Sequence, residues 1–344
     1  MKTLFKFTFI LLSLFFISCS SDDDNNPEPL PKGEFDQGVL VLNQGGIGTV
    51  TYISDDFSRV EQNIFTAINP NEDLGQFLES VFFDDENRAY IIANGSNLIT
   101  VVDRFSFEKL GEINTGLDIP RFGLVYNGKA YVTNQASFTT GDDDYVAVIN
   151  LESLEVETNI NIGQTVEYIK TDGSQLYVQN AAFGFGEGIT VINPNTNSVE
   201  TQIETEAGLQ DIFINANSLY ALHESGIDVI DLNTLNTTST KTLPADLSGA
   251  KNLRISTGFI YYTFGSSVYK TALAEPNLSN EPLLTYESSS QFGTMYGFAV
   301  KDGLIYIGDG TDFASNGFIE IYDTDGNFVF ETEVGLGPTQ FYFN

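Results

Sequence analysis

Short stretches of alternating apolar and polar residues, bounded by Gly, Asn and Asp, recur along the chain, and no segment sustains the period of an amphipathic helix. The stretches VLVLNQ, AYIIAN, AYVTNQ, LYVQNA, LYALHE, IYYTFG and IYIGDG have their second residues at Leu40, Tyr90, Tyr131, Tyr177, Tyr220, Tyr261 and Tyr306, so the steps are 50, 41, 46, 43, 41 and 45 residues. Each anchor is followed by a second strand-like stretch, such as NLITVVD or GFIEIYD, and then by a more polar third one. A further strand precedes six of the anchors. Counting back 11 residues from each tyrosine reaches Glu79, Pro120, Val166, Leu209, Ala250 and Met295. The intervening YNGK, TDGS and KDGL carry the chemistry of tight hairpin turns.

The anchor at Leu40 has no such strand before it, whereas the terminal PTQFYFN is a copy with no anchor after it. Seven units of four strands, with the missing strand of the first supplied by the C-terminus, describe an all-β, seven-bladed β-propeller spanning residues 37–344 and closed by its own ends. An open solenoid would need capping repeats and gives no reason for complementary termini. The repeated YVxN…ItVIN pattern resembles the YncE-like propeller family over residues 38–344. That resemblance implies the fold and leaves function open, since propellers host many activities.

In each blade the innermost strand and the anchor strand form an antiparallel hairpin, so the start of one lies beside the end of the other on one face. One residue into the innermost strands stand Ser80, Arg121, Glu167, Gln210, Lys251, Tyr296 and Thr339, chemically different in every blade. Such variety suits an asymmetric ligand, and also pore residues free to drift. At the anchor ends stand Asn43, Asn94, Asn134, Asn180, His223, Phe264 and Asp309, whose largely repeated asparagines favour a turn-supporting role. Three long loops rise from the same face: QASFTTGDDD with Gln135 and Phe138, NAAFGFGEG with Phe183 and Phe185, and DGTDFASNG with Phe313. Aromatics around a concave centre suit a flat, partly apolar ligand, unless they fold back onto the blades. The expected ligand-binding set is therefore Arg121, Gln135, Phe138, Glu167, Phe183, Phe185, Gln210, Lys251, Tyr296 and Phe313.

Residues 1–18 pair two lysines with an apolar run too short and too N-terminal for a membrane span, and read as a secretory signal. The single cysteine, Cys19, follows directly in FISC and resembles the lipobox of bacterial lipoproteins, which implies a diacylated mature N-terminus. Residues 19–36 are acidic and Pro-containing, read as a tether, and resemble the surface-export signal of Bacteroidetes lipoproteins. The expectation is an outer-membrane, lipid-anchored protein facing the cell exterior, touching the membrane only through its anchor. Loss of Lys2 and Lys6 with the signal takes the formal net charge from −32 to −34. Such a charge disfavours nucleic acid and anionic headgroups, and leaves neutral, cationic or metal-containing ligands. It also serves solubility.

Catalysis finds little in the sequence. The single histidine, His223, leaves no triad or multi-histidine metal site, and no carboxylate pair stands out. The chain has no tryptophan, on which the resemblance to quinone-dependent propeller dehydrogenases would depend. DTDGN at 323–327 resembles the start of a calcium loop but lacks its later glutamate, and reads as a turn. No cofactor or metal is expected. In layout the chain is similar to Bacteroidetes lipoproteins that capture cobalamin for a TonB-dependent transporter, which implies a small-molecule ligand of corrinoid type and a transporter partner. The alternatives are a protein-interaction platform and, more weakly, a propeller hydrolase or lyase.

Overall fold

The computed structural model describes residues 31–137 and 140–344, so Cys19 and Phe138 lie outside the described residues. The repeats become seven antiparallel sheets of four strands. The two middle strands of a blade are buried on both faces because a neighbouring blade lies against each. Arg88–Ala93 and Leu98–Asp103 are buried almost throughout, whereas the outermost Glu155–Asn161 is mostly exposed. This explains why the third stretch of each repeat is the polar one.

The core is distributed between blades. Phe82, Tyr90, Ile92 and Val101 of one blade pack on Ala130, Val132, Ala147 and Ile149 of the next, with the Phe82 and Tyr90 rings stacked at 4.8 Å. Near the axis Leu78–Phe83 packs on Pro120–Tyr126, and contacts pass through Ile169–Thr171, Asp211–Asn215, Lys251–Ser256 and Gly297–Lys301 to Pro338–Phe343, which packs back on Leu78–Phe83. The ring is therefore closed. The closing strand Pro338–Phe343 pairs antiparallel with Gly38–Asn43, Val41 facing Phe341. Arg104 fastens its end, donating to the Phe343 carbonyl at 2.7 Å and the Asn344 side chain at 2.9 Å.

Two hairpin turns show why their sequences are needed. Asn127 and Gly128 have φ of 48° and 75°, and Asp302 and Gly303 have 49° and 80°, the paired positive values of a type I′ turn. At the N-terminal side the folded unit begins at Lys32, inside the stretch that composition assigns to the tether. Phe35 is buried and meets the rings of Tyr52 at 5.3 Å and Phe107 at 5.7 Å edge-on, so residues 32–36 belong with the propeller.

Candidate functional site

The shared face opens into a central funnel of about 590 Å³. Arg121, Glu167, Gln210, Lys251, Tyr296 and Thr339 all line it, so six of the seven residues placed on the inner ring by counting meet there. The seventh, Ser80, is buried, donates to the Arg121 carbonyl at 2.6 Å and yields its place to Glu79. The cause is a register shift between Leu78 and Ser80 in the pairing with the anchor strand, a bulge that re-aims the strand start. Similar shifts lie between Pro120 and Gly123 and between Lys251 and Arg254. In the last case Asn252 and Arg254 join Lys251 on the wall.

The deepest charges are organised around Arg121. Its guanidinium donates to Glu79 Oε2 at 2.7 Å and grips Glu167 through both oxygens at 2.7 and 3.1 Å. These three residues come from three successive blades, and all are buried. Asn94 adds a donor to Glu79 at 2.8 Å, and Gln135 donates to Glu167 Oε2 and to the Val166 carbonyl, both at 2.8 Å. Burial works against the Arg121 charge, yet the two carboxylates outweigh it and raise its pKa. Burial raises the Glu79 pKa to about 7, opposed by Arg121 and assisted by the Glu167 charge. Arg121, Glu167 and Gln135 therefore hold one another, and their main service is to join blades at the axis.

The aromatic residues divide. Phe313 is half-buried and folds back edge-on to Tyr296, ring centroids 4.7 Å apart. Tyr296 itself donates to Gln44 Oε1 at 2.8 Å, and burial raises its pKa to about 12. Phe183 and Phe185 remain 71% and 81% exposed on their loop. Phe183 lies over Arg121, 5.5 Å from guanidinium to ring centroid, and separates the funnel from a side cleft of about 350 Å³. That cleft is lined by Gln135, Asp144 and Phe185 among others. Asp144 accepts from the Val166 amide at 3.0 Å through Oδ2, while its Oδ1 is buried without a partner among the described residues, and burial raises the Asp144 pKa to about 6.

Anchor-end residues are structural. Asn43, Asn134 and Asn180 are buried and bond to nearby backbone or threonine groups. His223 is wholly buried, with Nδ1 3.1 Å from the Ser225 hydroxyl and Nε2 3.5 Å from Asp228. Phe264 is the exception, since it lines the funnel. Counting missed Phe292, 74% exposed on the wall, because SSSQFGTM has neither strand alternation nor a repeat equivalent. Among the described residues no group of three or more His, Cys, Asp and Glu is placed to hold a metal ion.

The chain matches the model of the DUF5074 family, described as a domain of unknown function, over residues 37–333. The chain belongs to the DUF5074 family. No match was found among curated proteins. Solved structures place this DUF5074 domain among propellers. It is similar to a quinonprotein alcohol dehydrogenase-like protein from Bacteroides thetaiotaomicron, with a TM-score of 0.68 and 15% identity, covering 91% of this chain and 79% of that one. It is similar to a functionally unknown protein from Desulfotomaculum acetoxidans, with a TM-score of 0.65 and 9% identity, covering 89% of this chain and 98% of the other. BamB from Moraxella catarrhalis gives a TM-score of 0.54 at 14% identity, covering 90% and 86% of the two chains. At such identities the likeness is one of fold.

Proposed function

We propose that this DUF5074 propeller captures a small molecule at the funnel mouth and hands it to an outer-membrane transporter, as a lipoprotein of the YncE-like Bacteroidetes type anchored through Cys19 and facing the cell exterior. The observation that carries the reading is convergence. Six chemically different inner-ring residues line one cavity of about 590 Å³, and the exposed rings of Phe183, Phe264 and Phe292 stand around it. The volume falls in the range of ligand pockets, and the mixture of aromatic faces and neutral amides fits a flat ligand with polar edges. One edge of such a ligand enters the funnel while its face lies against the loop rings.

Corrinoids are the first ligand class to test. Calorimetric titration of cyanocobalamin into residues 32–344 is expected to give saturable heat at one site. Replacing Phe183 and Phe292 together by alanine should leave the fold intact and weaken binding several-fold per ring, since a ring contact contributes roughly 0.5–1.5 kcal/mol beyond area burial. A double variant that binds as tightly as the parent would sink the proposed mouth.

A second reading, a protein-docking platform, is favoured by one observation. Ile47 and Phe77, about half exposed, extend the apolar rim of the same face beyond the funnel lining. Recovery of a partner protein whose binding survives the phenylalanine substitutions would support it.

A further inference from the structure

We propose that the funnel takes the anionic group of its ligand, a carboxylate or similar monoanion on a flat apolar body, and that Lys251 is the charge that meets it. The inference deepens the capture reading and rests on it.

The chain has 47 acidic residues against 15 basic ones, so an accessible lysine without an acid partner is unexpected. Lys109 pairs with Glu72 and Glu112, Lys129 with Glu157, and Lys301 with Asp302, while Lys241 and Lys270 donate to backbone carbonyls and Lys32 and Lys170 lie over the rings of Phe105 and Tyr168. Lys251 is exposed to the funnel, and among the described residues its ammonium has neither an ion pair nor a hydrogen bond. The acids nearest the axis are already engaged. Glu79 and Glu167 share Arg121, and Asp211 accepts from Arg254 at 2.9 Å. Against these three carboxylates stand Arg121, Arg254 and Lys251, of which Lys251 alone is not shared with a carboxylate among the described residues. The axis is thus close to neutral inside a strongly negative molecule, with Lys251 its uncommitted charge.

Neutral donors stand beside that charge. Gln210 occupies the matching inner-ring position of the neighbouring blade, and its side-chain amide makes no hydrogen bond among the described residues; the same holds for Gln340. Phe264, Phe292 and Phe298 supply apolar wall. A cation between low-dielectric walls attracts a counter-ion more strongly than one on open surface. A compact ammonium on a flexible stem also suits a monoanion whose exact position is set by the ring stacking around it. The overall charge argument, which favours neutral or cationic ligands, therefore stops at the funnel mouth.

Two probes of the same shape test this: 2-naphthoate, which is anionic, and 2-naphthamide, which is neutral. Fluorescence titration of the purified protein is expected to show naphthoate binding roughly three- to tenfold more tightly, the scale of one charge-assisted contact reduced by solvent. Lys251→Gln should close that gap, Lys251→Arg should keep most of it, and added salt should narrow it. Thermal melts of each variant establish that the fold is unchanged. Equal binding of the two probes, a gap that survives Lys251→Gln, or binding of neither overturns the anion site. Equal binding, or cyanocobalamin binding where naphthoate fails, leaves the capture reading standing; absence of binding by all three removes both.

Discussion

One guanidinium cannot neutralise two carboxylates, and at Arg121 the surplus falls on Glu79. Its carboxyl is raised to about 7, above an ordinary value of 4.5, chiefly by burial. Between those pH values the folded protein keeps a proton that the unfolded chain has released. This contribution to stability is therefore fully present below about 4.5 and is lost as the pH rises through about 7. Urea unfolding at pH 5 and pH 8 should show Glu79→Gln losing less stability across the interval than the parent; an equal loss would refute the assignment. The partner in the clamp behaves differently. Arg121→Met leaves two buried carboxylates without a cation and should cost about 3–5 kcal/mol in the same measurement at pH 8. A cost below about 1 kcal/mol would mean that water, rather than Arg121, solvates those carboxylates.

Strands and turns were the most legible part of the chain. Anchor spacing identified the blades, and the type I′ turns at Asn127 and Asp302 follow from dipeptides that tolerate positive φ. Pairing of Pro338–Phe343 with Gly38–Asn43 was readable because one unit lacked its first strand and the C-terminus had one to spare. Removing residues 337–344 should expose the edge of Gly38–Asn43 and lower the melting temperature with loss of cooperativity, followed by calorimetry and light scattering. An unchanged, single melting transition would contradict the closure. What could not be read was which residue at each innermost strand start faces the axis. Counting placed Ser80 there, and the bulge after Leu78 put Glu79 there instead. Bulges leave no mark on hydrophobic alternation when both candidate residues are polar. Phe313 was misleading for a related reason, since its loop gives no sign that Tyr296 lies within reach to pack against it.

For the molecule as a whole, a closed ring presents one face whose concave centre is chemically asymmetric and holds an uncommitted lysine in a strongly negative protein. The sequence conveyed that asymmetry through the inner ring, but not that Arg121, Glu167 and Gln135 would satisfy one another, because that contact joins residues far apart in the chain. Anchoring is tested independently: Cys19→Ser should release the protein from membranes, and continued fractionation with outer membranes with an unchanged acyl label would contradict it. The account stands or falls on whether the funnel is where the ligand sits. Gln210→Trp places a large ring in the cavity from a residue whose side chain makes no hydrogen bond among the described residues, so the fold should persist. In titrations of cyanocobalamin into parent and variant with matched melting temperatures, the account predicts one saturable site in the parent and none in the variant. Equal heats from the filled and the open funnel, or none from the parent, would contradict it.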